Sequence, residues 1–93
     1  MKTIATIAEM RAVRAQASRE GQRIAFVPTM GFLHEGHLAL LREARRRGDL
    51  VVLSIFVNPL QFAAHEDLAT YPRDLDRDRR LAESVGTDLL WLP

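Results

Sequence analysis

The run Leu50-Val-Val-Leu-Ser-Ile-Phe-Val57 constrains the fold more than any other stretch of this chain, being eight residues, nearly all apolar, rich in β-branched types and without polar alternation. A strand wetted on one face alternates polar with apolar residues, so an unbroken run predicts a parallel strand covered on both faces. Ile24-Ala25-Phe26-Val27, bounded by Arg23 and Pro28, is too short for a helix and reads as a second buried strand. Between the two, Leu38, Leu41 and Ala44 recur at helical spacing up to Gly48, a natural terminator. Strand, helix and strand form a right-handed crossover unit, which opens the loops after both strands on one edge of the sheet.

The flanks extend this unit. Thr6-Ile-Ala-Glu9 is a capping-box pattern, after which Ile7, Met10, Val13 and Ala17 mark one face of a helix ending before Gly21. Arg11, Arg14 and Arg19 lie largely off that face and read as its solvated side. Arg45-Arg-Arg47 closes the middle helix, where cations complement the negative dipole end, and is read as structural rather than as a nucleic-acid stripe. The stretch from Phe62 to Pro72 reads as a long loop. Arg73 then leads into a helix carrying Leu75, Leu81, Ala82 and Val85, with Asp74, Asp76 and Asp78 suiting its positive end, and Gly86 ends it. Asp88-Leu-Leu-Trp-Leu92 is a third strand. The expected fold class is α/β, a Rossmann-like open parallel sheet with flanking helices, its β-α-β-α-β core preceded by an N-terminal helix.

Several function classes are excluded or disfavoured on composition. Zero cysteines rule out disulfides and thiol catalysis and agree with a cytoplasmic location. No apolar run approaches membrane-spanning length, the N-terminus lacks a secretory pattern, and a net charge of +1 gives no reason to invoke nucleic acid.

The chemistry is placed in the loop Pro28-Thr-Met-Gly-Phe-Leu-His-Glu-Gly-His37. In an open α/β sheet such a loop lies where ligands bind, and the helix after it turns N–H groups and a positive dipole end toward whatever sits there, an anion such as phosphate. Gly31 and Gly36 sit where the backbone could turn sharply or come close to a ligand. His34 and His37, three residues apart, stack on one face of the first turn if the helix begins near Leu33 or His34. Neutral or cationic imidazoles there can donate to phosphate oxygens. His-Glu-Gly-His is superficially similar to the zinc-binding His-Glu-x-x-His helix but is one residue short of its i, i+4 spacing, so no metal ligation is assigned. Asn58-Pro59 reads as a strand-ending turn on local chemistry alone, while Gln61, with no such structural role, offers donors and an acceptor to a substrate bearing hydroxyl and carboxylate.

Together these residues carry a resemblance. His34-Glu-Gly-His37 resembles the His-x-Gly-His signature of the nucleotidyltransferase superfamily. More narrowly, Pro28-Thr-Met-Gly-x-Leu-His-x-Gly-His37, Ser54-Ile-Phe-Val-Asn-Pro-x-Gln-Phe62, Glu66-Asp67 and Tyr71-Pro-Arg73 resemble, in order and spacing, the pantothenate synthetase (pantoate–beta-alanine ligase) family. The likeness runs over essentially the whole chain, departing from the family where Ala63-Ala64-His65 replaces the usual Gly-Pro and a small or polar residue.

The resemblance implies ATP-dependent condensation of pantoate with beta-alanine through a pantoyl adenylate. It implies ATP contacts from Met30, Gly31, Phe32 and Leu33 together with His34, Glu35, Gly36 and His37, with His34 and His37 catalytic. Pantoate would meet Pro28, Met30 and Gln61, and beta-alanine Asn58 and Gln61. ATP enters as substrate with Mg2+, no organic cofactor is tightly bound, and the implied partners are these small molecules and a second copy in a homodimer. The family's lysine-bearing phosphate loop comes later than residue 93, and the only lysine here is Lys2. The chain is therefore expected to be the N-terminal part of the Rossmann domain, incomplete relative to the family and lacking a C-terminal domain. The alternative is a non-catalytic nucleotide-binding or dimerising module of the same fold.

Overall fold

The apolar run Leu50–Ile55 stands in the interior of a four-stranded parallel sheet in a computed structural model that describes residues 1–58, 60 and 72–93. In chain order the elements are β1 (Lys2–Ile4), α1 (Ile7–Arg19), β2 (Ile24–Thr29), α2 (Glu35–Arg47), β3 (Leu50–Ile55), α3 (Leu75–Ser84) and β4 (Leu89–Trp91). The strand order is β1-β4-β3-β2. β3 pairs with β2 from Ile24 opposite Leu50 to Thr29 opposite Ile55, and with β4 on its other side.

Its side chains feed two cores, which explains the missing alternation. Val51 and Leu53 join Leu38, Leu41, Ala82 and Leu90 beneath α2 and α3. Val52 turns the other way and joins Ile4 and Leu89, against Met10 and Val13 of α1. All three β3 residues are fully buried.

The fourth strand is the main departure from the sequence reading, which begins the fold with a helix. Lys2–Ile4 pairs in parallel with Leu89–Trp91 and buries only Ile4, so it leaves no run long enough to register as a strand in the sequence. It pairs along the far edge of β4, and its Ile4 shares a core with Leu89. Elsewhere the expected boundaries shift by a residue or two. β3 stops at Ile55 rather than Val57, the ladder closing where the Phe56 N–H donates to the Thr29 carbonyl at 3.0 Å. Among the described residues no helix is long and apolar enough to cross a membrane.

The helices start as their sequences direct. Thr6 and Glu9 exchange side-chain and backbone hydrogen bonds at 3.0 Å at the head of α1. The backbone N–H donated to Glu9 by Thr6, followed by the Thr6 hydroxyl, lowers the Glu9 carboxyl below its ordinary value.

Candidate active site at the carboxyl edge of the sheet

Because β2 and β3 are parallel and in register to their last residues, their carboxyl ends deliver Thr29 and Ile55 side by side. The Thr29 hydroxyl ties the two tips together, donating to the Ser54 carbonyl at 2.9 Å and accepting the Gly31 N–H at 3.2 Å. The chain then reverses through two residues of positive φ, Gly31 at 84° and Phe32 at 51°. Glycine suits position 31, where a Cβ would stand 3.0 Å from Ile55 Cγ2 and the backbone is left-handed.

The two histidines open α2 as a reciprocal cap. His34 is the N-cap, its Nδ1 accepting the Gly36 N–H at 3.0 Å, while Nδ1 of His37 accepts the His34 N–H at 3.0 Å. The rings stack with centroids 4.0 Å apart. A backbone N–H can only donate, so both Nδ1 atoms carry lone pairs, both rings are neutral, and both protons reside on Nε2. Burial, and next the neighbouring His34, lower the His37 pKa, with Asp78 acting weakly against them. Of the two protonation states open to them on sequence grounds, the cap thus selects the neutral one.

This arrangement changes the part expected of the helix terminus. Its N–H groups at His34 and Gly36 are already taken by imidazole nitrogens, so what α2 offers a ligand includes two Nε2–H donors in a fixed tautomer as well as its dipole. Gly36 also has a nearer reason than a ligand, for a Cβ there would meet His34 Cε1 at 2.8 Å.

The other predicted residues fall around this turn. Pro28, Met30 and Asn58 line one cleft of about 340 Å³ with Thr29, Ser54 and Phe56, across the tips of β2 and β3. Phe32 is exposed and Glu35 pairs with Arg42 at 2.7 Å on the surface. Leu33 is 1% exposed and belongs to the core, so its side chain does not face the cleft. Asn58 has the turn role expected of it, its Oδ1 accepting the Leu60 N–H at 3.0 Å. Gln61, and the loop from Phe62 onward up to Tyr71, lie outside the described residues.

One pair of residues in contact with this turn escapes the sequence reading. Asp78 and Arg77 reach from α3 to the turn: the buried Asp78 carboxylate accepts the N–H groups of Phe32 at 2.9 Å and Leu33 at 2.8 Å. Arg77 donates to the Leu33 carbonyl at 2.8 Å and sits over the Phe32 ring, 5.3 Å from its centroid. The sequence reading gives Asp78 a dipole role only. The available signal is its position on the stripe Leu75, Asp78, Ala82 and Val85, an acid on the buried face of a helix.

Known proteins match this chain in sequence and fold. The family whose model is described as Pantoate-beta-alanine ligase matches residues 2–93. Pantothenate synthetases of Syntrophotalea carbinolica and Heliobacterium modesticaldum are 61% and 62% identical over all 93 residues. The match covers 33% of each of those proteins, so the chain spans about a third of the length of these curated relatives. Among solved structures, pantothenate synthetase from Thermus thermophilus superposes with a TM-score of 0.87 at 53% identity, over the whole chain and 32% of that structure. A pantoate-beta-alanine ligase from Francisella tularensis, complexed with beta-gamma ATP and beta-alanine, gives 0.89 at 40% identity, over the whole chain and 35% of that structure.

Proposed function

Because the chain belongs to the pantoate–beta-alanine ligase family, a family of enzymes, we propose that it serves the ATP-dependent condensation of pantoate with beta-alanine to pantothenate. In this reading the residues described here are the N-terminal part of the nucleotide-binding domain. The observation that carries the reading is the pair of stacked imidazoles, whose Nε2 atoms are not used by the cap they form.

Pantoate's carboxylate is ionised at neutral pH and needs no base to attack the α-phosphorus of ATP. The protein then has to supply alignment and compensation for charge on the phosphoryl and departing pyrophosphate oxygens. Neutral Nε2–H donors suit that task, each such donor being worth about 3 kcal/mol in a transition state. The product is a pantoyl adenylate, a mixed anhydride whose carbonyl the amine of beta-alanine attacks, releasing AMP. Met30 to His37 would line the ATP site, with Pro28, Met30 and Gln61 on pantoate and Asn58 and Gln61 on beta-alanine. Mg2+ would accompany ATP, held mainly by its phosphates. A cytoplasmic location and a homodimer belong to the same reading.

The test is pantoate-dependent exchange of labelled pyrophosphate into ATP. It is run on the 93-residue chain and on a chimera in which these residues replace the matching third of a full-length relative. Exchange in the chimera that requires pantoate supports the proposal. Adenine-nucleotide binding without exchange in either protein favours a non-catalytic nucleotide-binding module, and neither binding nor exchange overturns both.

A further inference from the structure

The turn that carries His34 is bent in a way its own residues do not favour. Phe32 holds a positive φ without being glycine, a conformation that a bulky side chain resists and that persists only where surrounding contacts impose it. Those contacts come from one helix more than forty residues later in the chain. Asp78 is 2% exposed, both of its carboxylate oxygens accept backbone N–H groups of the turn, and the proposed reaction gives it no part. A carboxylate buried at such cost to its hydration is kept only where it makes strong bonds, and here both bonds go to the main chain immediately before the His34 cap.

We propose that Asp78 is the positioning residue of the histidine pair. From α3 it holds Phe32 and Leu33 in the left-handed turn, fixes where α2 begins, and thereby sets the two Nε2–H groups side by side. Arg77 reinforces it on the same turn through the Leu33 carbonyl and the Phe32 ring. The inference deepens the nucleotide reading where ligand binding is concerned. Its spectroscopic consequence requires no ligand.

Asp78→Asn preserves shape but puts an amide donor where one of the two N–H groups needs an acceptor. The imidazole 15N shifts of the labelled 93-residue chain report the tautomers of His34 and His37. In the unsubstituted chain both rings are expected with protonated Nε2 and bare Nδ1. In folded Asp78→Asn those signals should move toward tautomer-averaged values, and the affinity for Mg·ATP should fall about tenfold, the equivalent of one weakened charge-assisted bond. A folded variant with unchanged imidazole signals overturns the proposal, because a purely structural carboxylate would lower stability and leave the tautomers alone. If Asp78→Asn does not fold, amide exchange of Phe32 and Leu33 in the unsubstituted chain decides: protection like that of β2 supports the proposal, and exchange at exposed-loop rates overturns it. Should the unsubstituted chain fail to bind Mg·ATP, the nucleotide reading falls while the imidazole result still judges Asp78.

Discussion

At the level of single residues, the histidine cap joins two properties usually considered separately, helix initiation and ligand chemistry. A capping box ordinarily pairs Ser or Thr with Glu or Gln; here imidazole nitrogens take both places, so helix start and tautomer are set by the same two bonds. Protonating Nδ1 of His37 would set a proton against the His34 N–H, in accord with its lowered pKa. The sign follows from linkage. With the folded value below the ordinary 6.5, the unfolded chain binds more protons in the window between them. The stability this group contributes is complete above about 6.5 and is lost as pH falls through the folded value. His37→Gln keeps an acceptor at the third helical position and removes the titration. Denaturant unfolding from pH 8 to pH 5 should therefore show the unsubstituted chain losing stability relative to His37→Gln as acid is added, and a constant difference would refute the neutral cap. The histidine spacing and the stacking are legible in the sequence. The tautomer is not, because it depends on which nitrogen meets a backbone N–H, a matter of ring orientation.

At the level of elements, what is local in the chain is readable and what is distant is not. The α1 box and the apolar run of β3 each lie within a dozen residues, and the structure shows both. β1 has three residues with one buried side chain, and its status as a strand comes wholly from β4, more than eighty residues away. The basic triplet at the end of α2 shows the same contrast within one motif. Arg46 and Arg47 pair with Glu43 of their own helix, on the surface. Arg45 instead leaves the helix, donating to Asp88 at 2.7 Å and to the carbonyls of Gly48 and Gly86, and Asp88 in turn accepts the Val51 N–H at 2.8 Å. One guanidinium thus binds the end of α2 to the start of β4, and through Asp88 to β3. Both partners are about a third exposed, so their charge interaction is partly screened. Arg45→Ala is nonetheless expected to lower unfolding free energy by about 1–2 kcal/mol, through the backbone carbonyls it abandons. Arg46→Ala should leave the unfolding midpoint in place. Equal effects from the two substitutions would mean that the triplet acts only through the helix dipole.

At the level of the whole molecule, β3 links stability to function. It separates the two cores, and its tip, fixed to β2 through Thr29, forms one wall of the candidate site. The pairing of β2 with β3 is foreseeable from crossover handedness, which is why the site's position at the carboxyl edge can be inferred before its geometry. The remainder of the strand order, and the reach of α3 across to the β2–α2 turn, depend on packing between segments far apart in the chain, which periodicity does not encode. The central role of β3 has a measurable consequence. Leu53 is fully buried between β3 and the helices, and truncation to alanine leaves a cavity that a close-packed interior fills only in part. Leu53→Ala should cost about 2–5 kcal/mol. Set against the roughly 5–15 kcal/mol that holds a domain together, that loss removes a large share of the folded state's margin. Leu40, on α2 but 57% exposed, has no comparable contacts to lose, and Leu40→Ala should stay within about 0.5 kcal/mol. Urea midpoints of the two variants decide the point. A Leu53→Ala midpoint indistinguishable from that of Leu40→Ala would mean that β3 is not the structural centre, and that the adjacent strand tips are held in register by something other than the core they share.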